Sequence, residues 1–449
     1  MKPMHSLRPV FAGLLALQLV SCATNSHLMR AQQKFRQGDF NGASATLAAA
    51  AAKHKATDKD AVIVKLEAGS MALTAGKAEV ATSLLRSADE AIEAANRRPL
   101  IQVGREAGAM LTNLNSLPYV PTPADQIMGA SYLALSFAEE GKLTEARSAV
   151  KLAKNRQKDA IAKYSAEIER EKAAMEQARE AAKVPFVLDQ EKMGAVEQTI
   201  EADLKNYAPY AAHTVPYAEL IAGLLLGAGP DAELGRARES LTRAMAAAPG
   251  NAELRAAAGG ALKGRVHVLF EEGVAPSIDQ VAVHLPLYIN KNLVMFSAAY
   301  PKLAFHPHHG SPAVKSGAVT RTPETVCDFD RIAVDEFQRR LPGIISRTTA
   351  ASILKTTTAY VAQEAIKAQN SDMAMLAGIA GAAYNMISAQ ADRRSWATLP
   401  KRVGYTQLPV PSDRSIEIGG ETVSLPQGET VIVRVREVAG RRVIRTFAL

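Results

Sequence analysis

Gly76-Lys77-Ala78-Glu79-Val80-Ala81-Thr82-Ser83-Leu84-Leu85 is the stretch on which the reading of this chain turns. An apolar, helix-forming run from Val62 to Leu73 precedes it. The same arrangement recurs twice. Gly38-Asp39-Phe40 is followed by Ala43 and Leu47, and Gly141-Lys142-Leu143 by Ala146 and Val150. In each copy a small residue stands five positions after the glycine and an aliphatic one nine positions after it. Apolar runs from Leu28 to Phe35 and from Ile127 to Phe137 precede the other two glycines. The spacing predicts helix, tight turn, helix. Glycine accepts the left-handed backbone that ends the first helix. The small residue lets the second helix approach, and the aliphatic one fills the seam.

A degenerate fourth copy runs from Tyr217 through Ala237 and Leu241 to Pro249-Gly250-Asn251. The pattern resembles the tetratricopeptide repeat, and generic helical hairpins would look much the same. Residues 27–262 are therefore expected to form a TPR-like helical array that binds a protein partner on its concave face. A phosphate-loop reading of Gly69 to Lys77 fails, because six residues separate the glycines and Ala78 replaces the required hydroxyl residue. A long charged helix is expected over about 143–183, with Ile161, Tyr164, Ile168 and Met175 along one narrow apolar face.

Near Gly264 the period changes from helical to alternating. Val266, Val268 and Phe270 point one way, and His267, Leu269 and Glu271 the other. Further short strands are expected at Val281–Leu287, Leu293–Ala298 and Lys302–Phe305. Helices then return: one carrying Phe329, Ile332, Ala333 and Phe337, broken by Pro342, a second over about Gly343–Gln369, and a third from Asp372 to about Asp392. The third is almost uncharged. It stands at the short limit for a membrane span and contains Asn385 and Gln390, so a buried helix is expected. Strands resume at Arg402. Val431, Val433 and Val435 face one side of a late strand and Ile432, Arg434 and Arg436 the other, and Ala439-Gly440 turns the chain into the last strand. The expected fold is α+β and multidomain: a helical array, then a mixed domain over 263–449 with a helical insertion between sheet segments.

The N-terminus reads as a leader. Lys2 and Arg8 precede an apolar run from Pro9 to Val20, too short to span a bilayer. The run ends in Leu19-Val20-Ser21-Cys22, which resembles a bacterial lipobox. That resemblance implies cleavage between Ser21 and Cys22, acylation of Cys22, a signal peptide over 1–21 and a short tether over 22–26. Ala23 after the cysteine implies the outer membrane, periplasmic face, in a Gram-negative cell. The net charge of +8 is scattered along the chain, so nucleic acid is not the expected partner. With Cys22 acylated, Cys327 is the only thiol left and no internal disulfide can form.

Several segments together resemble a family of bacterial lipoproteins with tetratricopeptide-like N-termini and an α+β C-terminal domain. These are Val268-Leu269-Phe270-Glu271-Glu272-Gly273-Val274-Ala275-Pro276, Asn206-Tyr207-Ala208-Pro209-Tyr210, Tyr300-Pro301-Lys302-Leu303, Arg347-Thr348 with Ile353-Leu354-Lys355, and Asp392-Arg393-Arg394-Ser395-Trp396 with Leu399-Pro400. The resemblance covers most of residues 27–449. It implies fold and location, and no activity.

Three groups carry candidate chemistry. His306, His308 and His309 could hold a metal, although an exposed loop explains them as well. Cys327 beside Asp328 could be a nucleophile, but nothing local activates it, and a buried thiol at a helix start is the plainer reading. Arg393, Arg394 and Trp396 could form a ligand shelf, while a lone tryptophan more often pins two elements together. No hydrolase elbow, zinc-protease or dinucleotide fingerprint is present. The expectation is a non-enzymatic, lipid-anchored envelope scaffold without a cofactor. The alternative is an envelope hydrolase or wall-binding enzyme with its site in the C-terminal domain.

Overall fold

A computed structural model describes residues 26–98, 114–181, 190–210, 214–289, 292–368 and 371–449. The leader, the cleavage point and Cys22 lie outside the described residues. The chain is α+β. Its N-terminal half comprises α1 (26–36), α2 (Phe40–Ala51), α3 (Ala61–Thr74), α4 (Ala78–Asn96), α5 (Pro123–Glu139), α6 (Leu143–Ala181), α7 (Gln190–Glu201), α8 (Pro216–Gly227), α9 (Leu234–Ala247) and α10 (Ala252–Ala258).

The turn glycines behave as their spacing requires. Gly38, Gly76 and Gly141 have φ of 78°, 72° and 74°, the left-handed region that closes a helix at little cost only in glycine. Ala43, Leu47, Ala81, Leu85, Ala146 and Val150 are all buried. Close approach also needs small residues on the first helix of a pair. A Cβ on Gly69 would stand 2.6 Å from Leu85 Cγ, and one on Gly223 would collide with Leu241. The long helix α6 forms over the expected span. The side chains of Ile161, Tyr164, Ile168 and Met175 lie outside the described residues.

The C-terminal half contains β1 (Arg265–Glu272), β2 (Ser277–Ile289), β3 (Asn292–Ala304), β4 (Val314–Ser316), β5 (Val319–Arg321), β6 (Glu324–Asp328), α11 (Phe329–Lys367), α12 (Ser371–Ser388), β7 (Arg402–Pro409), β8 (Ser415–Ile418), β9 (Glu421–Ser424), β10 (Val431–Val438) and β11 (Arg441–Ala448). The main sheet has the order β11-β10-β1-β7-β6, with β1 parallel to β10 and the other pairs antiparallel. Val268 stands opposite Val433 on one side and Thr406 on the other. Ala439 and Gly440 have φ of 52° and 70°, the positive angles that a tight hairpin between β10 and β11 needs.

Both faces of this sheet are covered. Val266, Val268, Phe270, Val431, Val433 and Val435 pack on a small second sheet, β5-β4-β8-β9. The opposite face turns to the helices. A single apolar core joins Leu47, Leu66 and Leu225 of the array to Leu269, Ile432 and Phe447 of the sheet. Arg434 and Arg436, on that same face, are buried rather than solvated. Arg434 donates to Glu139 Oε1 (3.0 Å), Glu271 Oε2 (3.1 Å) and the Leu73 carbonyl (2.9 Å), and Tyr217 donates to Glu271 Oε1 (2.6 Å). Buried charges survive only when paired and bonded in this way.

Four expectations need correction. Every residue of α3 and α8 is buried, so among the described residues the inner side of the array offers no open groove. The chain's own sheet and the segment 395–398 fill it, because the apolar inner helices find their cover within the same polypeptide. Pro342 does not break α11. It lies on the exposed side between buried Leu341 and Gly343, and packing on both flanking turns holds the axis across the missing hydrogen bond. The three strands expected between 281 and 305 are two thirteen-residue strands, β2 and β3. Pro286 and Pro301 fit because a two-stranded ribbon leaves each strand one unpaired edge. Finally, α12 is not a buried helix: Met375, Leu376, Ile379 and Ile387 are exposed.

Candidate functional site

A cavity of about 200 Å³ opens along the line where the array meets the C-terminal half. Three chain segments build it. The first is 117–125. Tyr119 is fixed by its backbone N–H donating to the Lys59 carbonyl (2.8 Å). Thr122 and Asp125 then form a reciprocal capping box at the start of α5, with Pro123 in the first turn. The second is one face of α11. Phe329, Ile332, Glu336, Arg340, Ile344 and Arg347 recur at helical spacing and all line the cavity. The third is 391–399, the Asp392-Arg393-Arg394-Ser395-Trp396 segment. Ile278 and Leu303, from the β2–β3 ribbon, close the apolar wall.

Arg394 organises the third segment. Its guanidinium donates to Asp392 through Nε (2.8 Å) and Nη2 (2.6 Å), and through Nη1 to Asp60 (2.7 Å) and the Leu117 carbonyl (3.0 Å). Burial opposes ionisation of Asp392, and Arg394 overrides it, holding that carboxyl below its ordinary range. Trp396 donates to Ser70 Oγ (3.1 Å) and meets the Tyr132 ring edge-on at 5.8 Å. It thus pins this segment to α3 and α5. Next to it, Glu67 accepts from Gln32 (2.6 Å) and the Ala397 N–H (2.8 Å) and is bonded by Thr398, while burial pushes its carboxyl up to about 7.

A second polar group faces the cavity where the start of α5 meets α11. Tyr119 donates to Asp125 Oδ2 (2.6 Å), and the Ala124 N–H donates to Glu336 Oε1 (2.8 Å). Burial, then the neighbouring Asp125 carboxylate, pushes Glu336 up to about 8. Burial raises Asp125 as well. Glu336 is therefore mostly protonated at neutral pH. The cavity wall then carries the cations Arg340, Arg347 and Arg394 and the carboxyls of Asp125 and Asp392 among apolar side chains.

The expected shelf is assembled in part. Arg394 and Trp396 line the cavity. Arg393 points away and pairs with Asp279 at 3.6 Å on the outside. Sequence reasoning missed Tyr119, Asp125, Glu336, Arg340 and Arg347. Their signal on α11 was the same apolar period that marked Phe329, Ile332 and Phe337, had it been carried through Pro342.

The histidines do not converge. His306 Nε2 is 3.1 Å from Ser277 Oγ, and His308 Nδ1 is 3.7 Å from Glu272. Glu272 is itself held by the backbone N–H groups of His309 and Gly310. Among the described residues no group of three His, Cys, Asp or Glu side chains is placed to hold a metal. Cys327 stands near the end of β6, immediately before the N-cap of α11, fully buried, and burial pushes its thiol far up. A thiol so placed is inert. Comparison with protein-family models, with curated proteins and with solved structures gives no match for this chain.

Proposed function

We propose that this is a lipid-anchored envelope protein, acylated at Cys22, that binds an amphipathic anion in the cavity at its seam and transforms nothing. The helical array, TPR-like on this reading, serves as one wall of that site. A protein partner, if recruited, docks on the outer helices α2, α4 and α9, since the inner helices are filled by the chain itself.

One observation carries the reading: a cavity of about 200 Å³ whose apolar walls converge on Arg340 and Arg347, two turns apart on one face of α11. Apolar walls accept a chain, and guanidinium groups recognise a carboxylate or phosphate through paired, charge-assisted hydrogen bonds. The hydrolase reading has no comparable support, because Cys327 and the histidines stand apart from this cavity.

Trp396 is the only tryptophan of the chain and lines the cavity, so its fluorescence reports occupancy. Titration with decanoate is expected to give a saturable change, and decanol a much weaker one. Arg347→Leu should weaken decanoate about tenfold, near 1.4 kcal/mol. No saturable change, or equal binding of acid and alcohol, overturns the proposal.

A further inference from the structure

The helix α12 is built inside out. Toward α11 and β3 it presents Ala374, Gly378, Gly381, Asn385 and Ser388. A Cβ on Gly378 would stand 2.7 Å from Gln363 Nε2, and one on Gly381 3.4 Å from Ala359 Cβ, so the two helices nearly touch. Asn385 donates to the Met295 carbonyl (3.1 Å), and Lys355 to Ser388 Oγ (3.3 Å). The large apolar residues face outward instead: Ile387 is 68% exposed, Met375 64%, Ile379 61% and Leu376 57%. At about 100° per residue the exposed arc, from Met375 round to Tyr384, covers roughly half the circumference. No Asp, Glu, Lys or Arg occurs between Asp372 and Asp392.

A soluble protein that leaves such a patch open has something to cover it with. A partner helix covers a narrower stripe and is held in register by charged flanks. This arc is too wide and has no charged flank. It fits a hydrocarbon surface, which is broad, apolar and without register. The chain outside the described residues points the same way. Three residues, Ala23, Thr24 and Asn25, separate Cys22 from the start of α1. At about 3.5 Å per residue an acyl anchor there would keep α1 within roughly 14 Å of the bilayer. Gln32 of α1 donates to the Ser395 carbonyl (3.4 Å), in the segment that leads from α12 to β7, seven residues after α12 ends. No helix among the described residues is long and apolar enough to cross a membrane, so α12 would lie on the surface rather than span it.

We infer that the outward face of α12 lies in the interfacial layer of the bilayer to which the chain is tethered. Met375, Leu376, Ile379 and Ile387 sit at the acyl boundary and form a second, non-covalent attachment. The inference rests in part on the anchoring proposed above, and its test separates the two.

The full chain carrying Ile379→Cys is labelled there with an environment-sensitive fluorophore. Cys327 is buried and does not compete for the label, and where Cys22 is found unacylated the labelling is repeated on the Cys22→Ser background. The mass of the N-terminal peptide reports acylation independently. On phosphatidylcholine vesicles the label should shift to the blue and brighten severalfold. A label at exposed Lys315→Cys, on the second sheet, should not change. A shift at Ile379 without acylation upholds the α12 surface and refutes the anchor. Acylated protein floating with vesicles while the Ile379 label still reports water overturns the α12 surface and leaves the anchor standing. Equal shifts at both labels, or a shift that needs only higher protein concentration and no lipid, also overturns it, the latter in favour of a second copy of the chain.

Discussion

Glu336 accepts one backbone bond, lies beside Asp125 and is raised to about 8, chiefly by burial. An unfolded carboxyl releases its proton near 4.5, so through the window up to pH 8 the folded state holds a proton that the unfolded state has lost. Stability therefore falls as pH rises, by at most about 1.4 kcal/mol per pH unit for one such group. His267 acts in the opposite direction. Burial lowers it to about 4, so its contribution is present above pH 6.5 and is lost as pH falls through 4. Glu67 also titrates near 7. Lys355, lowered by burial to about 8, overlaps from above, so the share of the slope due to Glu336 over pH 7 to 8 is read as the difference between wild type and variant. Urea unfolding midpoints should fall across that range in the wild type, and Glu336→Gln, which keeps the acceptor for Ala124, should flatten that fall. An equal slope in both proteins would show that Glu336 titrates normally. None of this was legible in the sequence. A glutamate on a helical stripe reads as a solvated face, and only folding places it against the carboxylate of another element.

At the scale of elements, the glycine-led hairpins were the most legible part of the chain, because a left-handed turn and a close helix seam each demand one residue type at a fixed spacing. Their environments differ, which makes a graded test. Gly141 has nothing within 4 Å of an added Cβ, so Gly141→Ala should cost only the backbone term, about 1 kcal/mol. At Gly38 the added carbon collides with Arg441 of β11, so Gly38→Ala should cost at least about 1 kcal/mol more. Chemical denaturation of both variants checks the order, and equal costs would contradict the packing of β11 on the first turn. The alternation of β10 was also readable, but not the fate of its polar side. Arg434 and Arg436 look solvent-facing by pattern, yet they meet Glu271 and Glu139 in the interior. Pro342 misled for a related reason. A local rule against proline in helices lost to tertiary packing on both sides of it.

The largest core among the described residues crosses from helices to sheet, with two smaller ones under the second sheet and under the β2–β3 ribbon. That continuity makes the array a wall rather than a groove. It also places the cavity at the seam, where Asp60 and Leu117 from one half meet Arg394 from the other. The Asp392-to-Trp396 segment could be singled out from its residues, but its counterparts at 117–125 could not, since nothing in the sequence pairs regions so far apart. Amide hydrogen exchange of the full chain with and without decanoate tests the seam most directly. The account predicts added protection confined to 117–125, 329–348 and 391–399. Unchanged exchange there, or protection appearing only on the outer helices α2, α4 and α9, would contradict it.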